Sequence, residues 1–132
     1  VITDREQAEV GTVWLELTSE GERDPVFGSI GPRFPVQIGH EDIVTFLPDG
    51  AVLLASSETI ENEAFCFPDK PIYATQFHPE LNRDGLIERV ARYPAYLALT
   101  GAATLDEFRD MTPETPEAES LMPRFLEHVL SE

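Results

Sequence analysis

Hydrophobic and polar residues alternate through residues 13–17, with Val13, Leu15 and Leu17 on one side and Trp14 and Glu16 on the other. A period of two predicts a strand with one buried face. Thr18-Ser19-Glu20-Gly21 reads as the turn that closes it. Phe34, Val36 and Ile38 alternate with Pro35 and Gln37 to give a second strand. Pro35 has no backbone donor, which puts that strand at an edge or Pro35 near its start. In Pro48-Asp49-Gly50, Pro presets φ and Gly accepts a positive one, a turn with a mechanism. The run Ala51-Val52-Leu53-Leu54-Ala55 is apolar on both faces and predicts a central strand. Residues 64–67 and 72–77 are two further strands, joined by Pro68-Asp69-Lys70-Pro71 as a hairpin with a four-residue loop.

Beyond Asp84 the period lengthens. Asp84 is the expected cap of a helix with Leu86, Ile87, Val90 and Ala91 inside, ended or kinked by Pro94. Thr104-Leu105-Asp106-Glu107 is a capping-box pattern for a short helix. Ala118, Leu121, Met122, Phe125, Leu126, Val129 and Leu130 recur at three and four. They predict a last helix with one buried face, Pro116 in its first turn and a kink at Pro123. Five strands followed by helices make an α/β unit without internal repeats.

Composition narrows the function. The 132 residues carry 25 acidic and 9 basic side chains, a formal charge of −16. Such a surface repels phosphate backbones and anionic lipid, so neither nucleic acid nor membrane is an expected partner. Cys66 is the single cysteine, which excludes an intrachain disulfide and suits a reducing, cytoplasmic compartment. The chain opens on Val1-Ile2-Thr3-Asp4 and reaches its first strand pattern early, as expected of a domain entered midway.

The chemistry concentrates in Gln76-Phe77-His78-Pro79-Glu80, which a strand delivers to its C-terminal end. Pro79 disfavours the helical region for His78 and fixes its own φ. In an extended segment, residues two apart face the same way, which brings Glu80 beside His78. A carboxylate on one ring nitrogen selects the tautomer that frees the other as a base. The same residues also read as a strand-end histidine and a solvated acid. His40, Glu41 and Asp42 follow the second strand, either as a polar loop or as a helix start.

Taken in order, Glu9-Val10-Gly11, Leu17-Thr18, Asp24-Pro25-Val26-Phe27, the run from Gly39 through His40-Glu41-Asp42 to Pro48, Ala55-Ser56 and Gln76-Phe77-His78-Pro79-Glu80 carry a resemblance. Over residues 9–90 the chain resembles the C-terminal half of the class I glutamine amidotransferases, especially GMP-synthase-like and γ-glutamyl-peptidase-like members. The resemblance implies a flavodoxin-like α/β domain with a mixed sheet, of which residues 1–132 are the C-terminal portion and 91–132 a helical extension. It implies a Cys-His-Glu triad in which His78 is the general base and acid and Glu80 its orienting acid. It implies that Gly39, His40, Glu41 and Asp42 help to hold glutamine, largely through backbone. Gly39 stands where Ser or Asn is more usual. Gln76 is expected to support the strand end.

The family's nucleophile sits in a G-x-C-x-G turn, whereas Cys66 lies in Ala64-Phe65-Cys66-Phe67, a core pattern that leaves the thiol inert. The expected function is therefore glutamine hydrolysis, with ammonia passed to an acceptor such as a GMP-forming synthetase domain. The chain alone is expected to be inactive, its partners being glutamine and the N-terminal half of the domain, with self-association through an uncovered sheet edge. Three other readings stand beside it: a γ-glutamyl peptidase, a metal-assisted hydrolase using His40, Asp42, His78 and Glu80, and a non-catalytic interaction module. No cofactor is expected, since the sequence has neither a phosphate-binding glycine loop nor a cysteine metal motif.

Overall fold

The computed structural model describes residues 1–3 and 8–131. Its main element is a five-stranded sheet in the order β3-β2-β5-β6-β7, where β2 is Glu9–Leu17, β3 Arg33–His40, β5 Val52–Ser56, β6 Ala64–Phe67 and β7 Ile72–Thr75. Two short strands, β1 (Ile2–Thr3) and β4 (Asp42–Ile43), form a separate pair. The mixed sheet expected is antiparallel throughout the described residues. Helices α2 (Arg83–Arg92), α3 (Leu105–Met111), α4 (Pro116–Glu119) and α5 (Leu121–Leu130) follow the strands, so the α/β class holds.

The alternation of β2 works as expected: Leu15 is buried, while Trp14 is half exposed under the Arg33 guanidinium, 5.1 Å from its ring. Thr18, expected in a turn, instead caps a one-turn helix α1 (Ser19–Arg23), its hydroxyl accepting from the Gly21 amide at 3.0 Å. Gly50 adopts φ +84°, the conformation its turn requires. β5 is the central strand. β7 ends earlier than its apolar pattern, because the chain leaves β6 after Thr75 and crosses to β3. There Phe77 bridges Ile38, and the His78 amide donates to the Gln37 carbonyl at 2.9 Å. The sheet thus curls until its last strand's continuation meets its first, and the β3 edge that Pro35 marked is partly covered.

Four helix expectations are corrected. Asn82, not Asp84, caps α2, accepting from the Gly85 amide at 2.7 Å, and Asp84 falls in the first turn. Leu86, Ile87 and Val90 are buried but Ala91 is exposed. The terminal segment breaks at Ser120 rather than kinking at Pro123. Pro123 then sits in the first turn of α5, where an amide has no intrahelical acceptor and its loss is free. Of the expected apolar face, Ala118 and Leu121 are buried, and Phe125 packs edge-on to Tyr73 at 5.6 Å. Met122, Leu126 and Leu130 are exposed. Thr104 does cap α3, and Glu107 reaches back, though to the Ala103 amide.

Two apolar clusters result. One, containing Leu15, Phe34, Val36, Leu54, Ala64, Cys66 and Phe77, fills the curl of the sheet. The other packs Leu86, Ile87, Val90 and Phe108 against Val10. His78 follows Phe77 of the first, beside the helices of the second.

Candidate active site

His78 stands where the closing segment leaves β3, its amide held by Gln37 and its ring over the end of that strand. The segment is not extended as expected but turns, the Leu81 amide donating to the His78 carbonyl at 3.1 Å with Pro79 at the second turn position, and the His78 Nδ1 to Glu80 Oε1 distance is 2.7 Å. An ionised carboxylate only accepts, so Nδ1–H donates and Nε2 is left as the basic nitrogen. Nε2 lies 3.4 Å from the Gly39 carbonyl oxygen. A proton taken up on Nε2 therefore meets an acceptor there, while Nδ1–H keeps its own. The arrangement favours a ring that cycles between neutral base and charged acid.

The neighbouring loop is fastened from below. The Gln76 side chain accepts from the Val44 amide at 3.0 Å and donates to the Asp42 carbonyl at 3.1 Å. The Asn62 amide group donates to the Val44 carbonyl at 2.8 Å. The Gln76 side chain, expected to support the strand end, instead holds the segment from Asp42 to Val44.

Gly39, His40, Glu41 and His78 line one small cavity of about 150 Å³, closed by Val10, Ile38, Leu81, Leu86, Arg89, Tyr96 and Leu99. The four loop residues do not contribute alike. The Asp42 carboxylate accepts from the Thr3 hydroxyl at 2.6 Å and is taken up in the β1–β4 pair. The His40 side chain is 6% exposed, and its Nε2 lies 3.9 Å from Glu9 Oε2. His40, Asp42, His78 and Glu80 do not converge as a ligand set, and no metal-binding group of three or more His, Cys, Asp or Glu occurs among the described residues.

Cys66 is buried in β6 and opens toward a different cavity, shared with Asp24 and Tyr73. Burial pushes its thiol above the ordinary pKa, and the Asp24 charge adds to this. Both effects oppose thiolate formation, the reverse of what a nucleophile requires.

Buried polar groups beside the loop escaped the sequence reading. Glu63 is fully buried, accepting from the Ser57 hydroxyl at 2.8 Å with its second oxygen unpaired. Loss of hydration raises its pKa to about 7, against the Ser57 hydrogen bond and with help from the Glu9 charge. Gln37 is equally buried but satisfied, accepting from Thr12 and donating to the Pro113 carbonyl. Glu63 lies in a polar stretch, Ser56 to Glu63, whose composition reads as loop, so no local signal marks it.

A family profile described as Glutamine amidotransferase class-I matches residues 3–85. The chain belongs to this family. Among curated relatives, a glutamine-hydrolyzing GMP synthase subunit from Methanosarcina mazei is 44% identical over 61 residues, covering 46% of this chain and 32% of that protein. Its counterpart from Methanothermobacter thermautotrophicus is 44% identical over 68 residues, covering 52% of this chain and 35% of its own length. A glutamine amidotransferase structure from Thermotoga maritima covers 98% of this chain and 54% of its own, with a TM-score of 0.74 at 21% identity. One from Methylobacillus flagellatus gives a TM-score of 0.68 at 22% identity, covering 98% of this chain and 53% of that one. At such identities the likeness is one of fold. This amidotransferase-family chain spans about a third of the curated relatives it matches and about half of the solved structures.

Proposed function

We propose that this chain supplies the histidine–carboxylate part of a Cys-His-Glu centre that hydrolyses glutamine to glutamate and ammonia. The reading is carried by the 2.7 Å contact of His78 with Glu80, with the other ring nitrogen on the cavity walled by Gly39 and Glu41. In this scheme Nε2 takes the proton of a thiol, and the thiolate attacks the side-chain amide carbon of glutamine. The imidazolium returns a proton to the departing nitrogen, which leaves as ammonia. Water, deprotonated by the same nitrogen, then cleaves the thioester to glutamate. Glu80 keeps the ring in the useful tautomer and balances its transient charge.

The thiol is not Cys66. A nucleophile in a G-x-C-x-G turn is supplied from outside these 132 residues, which act as the C-terminal portion of the domain with a helical extension from residue 91. The ammonia acceptor we name first is a GMP-forming synthetase, following the family resemblance and the GMP synthase relatives. The setting is cytoplasmic, in keeping with a lone reduced cysteine.

The test is ammonia release from glutamine. The chain alone is expected to be inactive, and active once joined to the nucleophile-bearing half of an amidotransferase domain. In the joined protein, His78→Ala is expected to cost on the order of 10⁴-fold or more in rate. Glu80→Gln is expected to cost less, because it orients the base without moving the proton. Full activity of His78→Ala, or turnover by the chain alone that Cys66→Ser abolishes, overturns the assignment.

A further inference from the structure

Of the described arginines, Arg23, Arg33, Arg92 and Arg109 pair with carboxylates. Arg83 donates to the Thr112 and Arg109 carbonyls, and Arg124 to the hydroxyls of Ser120 and Ser29. Arg89 is the one without a side-chain hydrogen bond or ion pair among the described residues, and it lines the cavity that holds His78. Its place follows from α2. Leu86, three residues earlier and 1% exposed, faces the same flank, so the Arg89 stem runs beside the buried stripe. Arg89 is exposed at the rim, and it lines the cavity.

Glu41 lines the same cavity without forming an ion pair to Arg89. Opposite charges left apart around one apolar-walled space are complementary to a small zwitterion. In a chain of net charge −16, the general field repels anions, so an anionic group needs a local cation to enter.

We infer that Arg89 is a specificity-determining residue of this cavity: it grips the α-carboxylate of a free α-amino acid whose α-ammonium faces Glu41. The inference rests on the reading of the cavity as the glutamine site and adds to it a side chain from α2, outside the loop at residues 39–42. A guanidinium presents two parallel donors to a carboxylate, geometry that lysine lacks. The site so built selects substrates with an unblocked α-carboxylate, and disfavours a γ-linked residue whose own α-carboxylate is amidated.

The experiment is an NMR titration of the ¹⁵N-labelled chain with three probes: L-glutamine, 4-aminobutanamide, which lacks the α-carboxylate, and glutaric acid monoamide, which lacks the α-ammonium. The wild-type chain is expected to bind glutamine saturably and each truncated probe roughly tenfold more weakly, the scale of one charge-assisted contact. Arg89→Ala is expected to weaken glutamine by a similar factor while leaving 4-aminobutanamide unchanged. Arg89→Lys should fall between. An unaltered spectrum away from the cavity establishes that each variant is folded. Unchanged glutamine affinity in Arg89→Ala, or equal weakening of glutamine and 4-aminobutanamide, overturns the inference. So does absence of saturable glutamine binding by the wild-type chain. None of these outcomes decides the glutaminase reading, which stands or falls on ammonia release.

Discussion

Replacing Glu63 by Gln should stabilise this protein, and by an amount that depends on pH in a defined way. The Glu63 carboxyl is buried beside Glu9, and its pKa rises from 4.5 to about 7. Between those values the folded chain holds a proton that the unfolded chain has released. Stability from this group is therefore complete below about pH 4.5 and declines as pH rises through 7. A rise of that size corresponds to a loss of about 3 kcal/mol by pH 8, an upper figure if water reaches the second oxygen. Gln mimics the protonated acid: its carbonyl can accept from Ser57, and its amide hydrogens replace the acidic one beside Glu9. Glu63→Gln should be more stable than wild type by about 1 kcal/mol or less at pH 5 and by about 3 kcal/mol at pH 8. Urea unfolding followed by far-ultraviolet circular dichroism at pH 5, 6, 7 and 8 measures the difference, and other titrating groups cancel between the two chains. A difference that does not change with pH, or a wild type more stable than the variant at pH 8, refutes the reasoning.

Gly21→Ala should destabilise by about 1–3 kcal/mol in the same unfolding assay, since an added Cβ meets the Leu54 carbonyl oxygen at 2.1 Å and forces α1 off β5. Cys66, buried and held above its ordinary pKa, should be alkylated by iodoacetamide at pH 8 at least tenfold more slowly in the native chain than in denaturant; equal rates would show the thiol is open.

Residues a few positions apart were legible from the sequence. The alternation in β2, the positive φ at Gly50 and the Thr104 cap each depend on one or two neighbours, and the folded chain keeps them, whereas β3 is buried on both faces from Phe34 to Ile38. The His78–Glu80 contact was also expected, but it is made across a Pro79 turn closed by the Leu81 amide rather than along an extended segment. Local signals were less reliable where two compete: Asn82 and Asp84 both make acceptable caps, and the break at Ser120 let Pro123 begin a helix instead of bending one.

What the tertiary structure decided involves partners far apart in the chain. Closure of the sheet joins Phe77 to Ile38 and the His78 amide to the Gln37 carbonyl, and so brings the His78 ring to the Gly39 carbonyl. Neither segment carries a mark of the other, since strand pairing is chosen by the whole packed arrangement rather than by residue type. The roles within His40-Glu41-Asp42 were set likewise: the His40 side chain is buried near Glu9 and lines the cavity with Glu41, while Asp42, past the bend at Glu41, pairs with Thr3. Glu63 and Arg89 are the clearest cases. A glutamate in a polar loop and an arginine on a helix are ordinary in sequence; only burial makes the first a weak acid, and only a cavity across from α2 gives the second something to hold.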